Sequence, residues 1–120
     1  MAIATQSRDG ILIIQVKDPR LVDEVVLEQL EKDVLGAIDQ SEAERVIIDF
    51  TPVQFMSSSM LGKLVKIHKK CKEYKAKLKL SGVTPDIREV FKITRLDKLF
   101  DFEKDLESAR KAYLKRGLFG

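Results

Sequence analysis

The sequence predicts an α/β domain with a mixed sheet of about five strands and about four helices. Two β-prone runs flank an Asp-Gly pair, the signature of a hairpin. Further along, β-prone runs alternate with segments of helical periodicity, which implies parallel crossover units. The run Arg45 to Phe50 lacks period-2 alternation and is apolar on both sides, as a central strand covered on both faces should be. With 120 residues, the chain fits one domain over 1–120 with its own core, and residues 116–120 are expected to form a loose tail. Hydrophobic residues at 44% and charged residues at 34% place it among folded globular chains rather than disordered ones.

Taken in order, Ile3 to Gln6 and Ile11 to Val16 are strands, joined through Asp9-Gly10, whose residue types tolerate positive φ. Asp18-Pro19 breaks the second strand. Asp23 is a helix cap, and Leu27, Leu30, Val34, Ala37 and Ile38 give the first helix its apolar face, ending near Asp39. After the Arg45–Phe50 strand, a second helix runs from about Ser59 to Tyr74. Its predicted buried stripe is Leu61, Leu64, Val65, His68 and Cys71. Leu78 and Leu80 alternate with Lys77 and Lys79 in the next strand, which closes a right-handed βαβ unit. Gly82 ends it. Thr84-Pro85-Asp86 opens a third helix with a capping hydroxyl, proline at the first position and an acid at the positive end. Leu99 to Phe102 is read as a short fifth strand. Phe102, Leu106, Ala109 and Tyr113 then mark the last helix.

Charge is polarised along the chain. Residues 21–44 hold eight acids against Lys32 alone, and residues 59–80 hold eight lysines against Glu73 alone. Such a layout either orients a charged partner or decorates two solvated helix faces. The single cysteine, Cys71, has no partner for an intramolecular disulfide. The start Met-Ala-Ile-Ala lacks a basic or long apolar leader, and no apolar run approaches the roughly 18 residues of a membrane helix. The expectation is a cytoplasmic protein without a membrane span.

The stretch from Val46 to Gly62 looks most like a site. A strand breaks at Asp49, turns through Thr51-Pro52, presents Phe55 and Met56, and enters a helix through Ser57, Ser58 and Ser59. The carboxyl end of a central strand is where open α/β sheets expose their sites. Three serines in a row exceed the need for a cap. A hydroxyl there is also a suitable place for a phosphate, beside free N–H groups and the positive helix end.

Catalysis finds no support. The only histidine, His68, is ten residues along the same helix from Ser58, about 15 Å away at roughly 1.5 Å per residue, too far to serve as its base. His68 and Cys71 offer two metal ligands without the rest of a set, so no metal site is expected. The glycines form no phosphate-cradling pattern, and no cofactor is implied. The lysine-rich helix has no arginine and one aromatic, Tyr74, which leaves no basis for specific nucleic-acid recognition. Weak, salt-sensitive binding to an anionic surface is the third reading.

The hairpin, the acidic helix opening at Asp23, the strand end Ile48-Asp49-Phe50, the turn Phe-Met-Ser-Ser-Ser-Met-Leu-Gly and the segment from Phe91-Lys-Ile-Thr-Arg-Leu-Asp to Leu99-Phe100 together resemble the STAS domain. This is the anti-sigma factor antagonist fold of bacterial partner-switching systems. In that family the turn commonly reads Phe-Met-Asp-Ser-Ser/Thr-Gly-Leu-Gly. Here Ser57 replaces the aspartate and Met60 replaces a glycine.

The resemblance implies a non-enzymatic regulator whose phosphoacceptor is Ser58. Its implied partner is an anti-sigma factor or related ATP-dependent serine kinase, with a phosphatase to reverse the modification. Asp23, Asp49, Ser57, Ser58, Ser59 and Met60 are the expected partner-binding residues, with Met60 as a flexible apolar contact. The alternative is a STAS interaction scaffold or assembly subunit that is never phosphorylated.

Overall fold

The fold is that of a computed structural model, which describes residues 3–119, with side chains through Lys115. In chain order it comprises β1 (Ile3–Arg8), β2 (Ile11–Val16), β3 (Arg20–Leu21), α1 (Glu24–Gln40), β4 (Arg45–Asp49), β5 (Phe55–Met56), α2 (Ser58–Glu73), β6 (Lys77–Ser81), α3 (Pro85–Ile93), a 3-10 turn at Leu96–Lys98, β7 (Asp101–Glu103) and α4 (Leu106–Phe119). The main sheet has five strands in the order β1-β2-β4-β6-β7, and β3 and β5 pair separately. β1 is antiparallel to β2, and every other neighbouring pair is parallel. This is the expected mixed α/β sheet.

Local chemistry explains the boundaries. Asp9 and Gly10 both take positive φ, 55° and 76°, so the two-residue turn matches the strand twist and sets Arg8 opposite Ile11. Asp23 caps α1, accepting from the N–H groups of Val25 and Val26, and Thr84 caps α3, accepting from Ile87 N–H with Pro85 at the start.

Burial divides between the two faces of the sheet. On one, Leu27, Leu30 and Val34 of α1, Leu61, Leu64 and Ile67 of α2, and Ile87 and Phe91 of α3 pack on Ile14, Ile48 and Leu80. On the other, Ala109 and Tyr113 of α4 cover Ile11, Ile13 and Ile47. β4 therefore has Ile48 in one cluster and Ile47 in the other, and its unbroken apolar run follows.

Some expectations shift. The buried stripe of α2 passes through Met60 and Ile67, while Val65 and His68 are half-buried. The last strand lies at Asp101–Glu103, after the 3-10 turn, so Phe102 belongs to β7 rather than to the final helix. The helix α4 continues through 116–119, where a loose tail was expected; the side chains there, and Gly120, lie outside the described residues. Lys79, which alternates with Leu78 and Leu80, is 2% exposed. Its ammonium donates to Asp101 Oδ2 at 2.7 Å and Glu103 Oε2 at 2.8 Å, and lies 5.3 Å from the centroid of the Tyr113 ring. A lysine under α4 is tolerable because both neighbours on β7 are acids.

Candidate functional site

The site is built from the carboxyl end of β4. Asp49 is 2% exposed and accepts from Gln15 Nε2 at 3.1 Å, Thr51 Oγ1 at 2.7 Å and Ser81 Oγ at 2.9 Å. The carboxylate thus joins the ends of β2, β4 and β6, and three donors compensate its burial. Gly82 makes room for this. Its φ is +70°, and a Cβ there would lie 2.4 Å from Thr51 Oγ1, so a larger residue would displace the turn. Asp49 is an internal anchor and not the partner contact expected from sequence.

Beyond Thr51 the chain is stapled to the segment before α1. Gln54 and Phe55 N–H donate to Pro19 C=O, and Ser57 N–H donates to Leu21 C=O at 2.9 Å. This β3–β5 pairing brings the starts of α1 and α2 side by side. A two-residue strand carries no periodic signal, and sequence reasoning missed it.

The three serines then differ sharply. Ser57 stands at the N-cap of α2 with extended backbone, yet its side chain makes no capping hydrogen bond. Its Oγ is buried with no hydrogen-bond partner among the described residues. Ser58, the first helical residue, is exposed, and its hydroxyl has no recorded partner among the described residues. Ser59 donates to the Glu24 carboxylate, with Oγ 2.7 and 2.9 Å from its two oxygens. Lys63 Nζ lies 3.9 Å from Glu24 as well.

Met60 is 1% exposed and belongs to the main core. It cannot supply the surface contact expected of it. The position is the third residue of α2, and its side chain turns toward the sheet with Leu61 and Leu64. Asp23 remains exposed while its Oδ1 caps α1. The exposed apolar side chains near the serines are Phe55, at 51% exposure and already marked in the sequence, and two residues not singled out before, Val22 and Val25, the latter at 77%. The Arg20 guanidinium lies 4.9 Å from the Phe55 ring centroid. Phe55 lies on β5, paired with β3 just before Val22 and the start of α1.

The charge polarisation is partly cancelled within the molecule. Glu24 and Asp39 of α1 face Lys63 and Lys70 of α2 at 3.9 and 3.8 Å, and Tyr74 OH donates to Asp39. His68 packs edge-on to Phe100, centroids 5.5 Å apart. Burial, and then Lys72, lowers its pKa. Burial pushes the Cys71 thiol up to about 11, which leaves it protonated and inert. Among the described residues, no group of three or more His, Cys, Asp or Glu is placed to hold a metal ion.

Residues 2–109 match the family model of the STAS domain. The chain belongs to the STAS domain family. BtrV of Bordetella bronchiseptica, assigned as an anti-sigma factor antagonist, is 27% identical over 113 residues, covering 94% of this chain and 95% of that protein. The structure of an anti-sigma-factor antagonist (STAS) domain protein from Planctomyces limnophilus superimposes with a TM-score of 0.82 at 27% identity, covering 93% of this chain and 98% of the other. The Bacillus cell fate determinant SpoIIAA, solved in its phosphorylated form, shares the fold with a TM-score of 0.67 at 20% identity, covering 92% and 99%. This STAS domain is thus similar to anti-sigma factor antagonists along nearly its full length. Among the described residues, no helix is long and apolar enough to cross a membrane.

Proposed function

We propose that this protein is an anti-sigma factor antagonist-like regulator of the cytoplasm that binds an anti-sigma factor or related ATP-dependent serine kinase and is switched by phosphorylation of Ser58. It acts as substrate and ligand, without catalysis of its own; ATP and its metal belong to the kinase, and a phosphatase reverses the mark. One observation carries this reading. Of three adjacent hydroxyls, that of Ser57 is buried and that of Ser59 is engaged by Glu24, whereas that of Ser58 is exposed, with no partner among the described residues, at the start of a helix without a side-chain cap. That a protein of this fold, SpoIIAA, exists in phosphorylated and unphosphorylated forms supports it.

Unmodified, the surface formed by Val22, Val25, Phe55 and the exposed serines docks the partner. A phosphate on Ser58 adds about −1.5 to −2 charges at the centre of that surface, beside Glu24. The free N–H groups of the first turn of α2 accommodate the phosphate without unfolding the helix. Docking is lost by repulsion and by the cost of desolvating the dianion.

The test is incubation with ATP and candidate kinases followed by mass-spectrometric mapping, alongside binding by Ser58→Asp. Phosphate is expected on Ser58 and not on Ser59. The substitution should weaken partner binding by about 1–3 kcal/mol with little change in thermal stability. An unmodified Ser58, together with unchanged binding by Ser58→Asp, would overturn the switch. That result would favour the second reading, a scaffold or assembly subunit that is never phosphorylated. Ser57 and Met60 point to this reading, since both depart from the usual turn at the site itself.

A further inference from the structure

The two edges of the sheet are built differently. β7 is three residues long and carries Asp101 and Glu103, both bound to Lys79. A short, charged edge resists the addition of another strand. β1 is six residues long, and Ala4 to Arg8 are all exposed. It has no proline and no acid, and its one charge, Arg8, stands at the turn end, so Ala4 to Ser7 carry none of the usual protections.

The hairpin fixes which backbone groups of β1 are free. Arg8 and Ile11 flank the two-residue turn and form a hydrogen-bonded pair. By alternation Gln6 and Ala4 also bond to β2. The N–H and C=O groups of Thr5 and Ser7 therefore point outward. The side chains of Thr5 and Ser7 form, with Leu12, the floor of an open groove of about 1010 Å³, walled by Gly36, Ala37 and Gln40 of α1. Glu24 and Asp39 of α1 turn toward α2, whereas Lys32 and Asp33 of α1 line the groove as one charge of each sign.

We propose that β1 is the interface for a second copy of this chain, paired antiparallel about a two-fold axis through Gln6. In this register Thr5 faces Ser7 of the other copy in both directions, so the outward N–H and C=O groups satisfy each other. Gln6 meets its own counterpart, Arg8 lies opposite Ala4, and no like charges are opposed. The arrangement is isologous and closes as a dimer with one continuous ten-stranded sheet. Pairing of β1 with β7 of another copy, which would propagate openly, is disfavoured by Asp101 and Glu103. Pairing one strand on each side buries less surface than a stable interface of about 1,200 Å², so the dimer is weak and forms as concentration rises.

Light scattering and amide exchange on the full chain test this. From micromolar to millimolar protein, the apparent mass should double. Exchange at Thr5 and Ser7 should slow while that at Ala4, Gln6 and Arg8 is unchanged. Thr5→Pro removes an N–H that points outward, so the β1–β2 ladder remains and the dimer is lost. Gln6→Lys opposes two ammonium groups at the axis and should abolish dimerisation at low salt, with partial recovery at high salt. A wild-type monomer at millimolar concentration would overturn the proposal, as would a dimer that persists in both variants. So would protection of Thr5 and Ser7 that requires an added extended peptide.

Discussion

The starts of the helices divide into two kinds. At α1, α3 and α4, the side chains of Asp23, Thr84 and Asp105 accept backbone N–H groups from the first turn. At α2, Ser57 occupies the same position and accepts none. A serine is as able to cap as a threonine, so residue type does not explain the difference. Instead α2 is held at its start by the bond from Ser57 N–H to Leu21 C=O and by the burial of Met60 and Leu61. The helix that opens the candidate site thus relies on packing where the others rely on caps, and its positive end stays available. Local stability forgone at a functional position is a common trade.

Substitutions at the caps and one titration test this contrast, in descending order of expected effect. Asp23→Ala should lower the unfolding free energy by about 1 kcal/mol in urea titrations, and Thr84→Ala should do nearly the same. Ser57→Ala should change stability by less than about 0.5 kcal/mol, or raise it, because it removes a buried oxygen without a partner. If Ser57→Ala costs as much as Asp23→Ala, the two kinds of helix start are not distinct. Ser57→Asp sharpens the point, since a carboxylate that reaches the first-turn N–H groups should stabilise the protein. The smallest effect concerns pH. The backbone N–H of Ser108, and then its hydroxyl, hold the Asp105 carboxyl below the usual carboxylate range. A depressed value means that this cap contributes above the ordinary carboxylate pKa and is lost as pH falls through the lower folded one. Carboxyl chemical shifts should give Asp105 a lower midpoint in the folded chain than in urea.

Legibility in the sequence followed the range of the interactions. Asp9-Gly10, Asp23 and Thr84-Pro85 act within a few residues, and each sits where its chemistry predicts. The apolar run of β4 reported a two-sided burial that the two clusters confirm. What stayed hidden depended on distant partners. The burial of Lys79 does not follow from its alternation with leucine; its acids lie on β7, more than twenty residues on. A clue was present, since Asp101 and Glu103 alternate on the neighbouring strand with the same period. Asp49 and Met60 lay inside the stretch that looked most like a site, and proximity in sequence was mistaken for a shared surface. A residue that breaks an apolar strand can be an anchor as well as a contact. Phe55 was noted in sequence, but its place beside the segment that leads into α1 arises only because β3 and β5 pair.

The Asp49 junction also affects how this surface can change over time. Gln15, Thr51 and Ser81 fix the three strand ends beneath the loop, and the loop itself, from Val53 to Phe55, borrows its remaining bonds from Phe50 and Pro19 carbonyls rather than from side chains. Backbone acceptors are indifferent to side-chain identity. The exposed positions Gln54 and Phe55 can therefore be rewritten without disturbing the foundation. Chains sharing this junction can diverge in whom they recognise while inheriting the same scaffold, and swapping those two residues between related chains should transfer preference for a partner more readily than it alters folding.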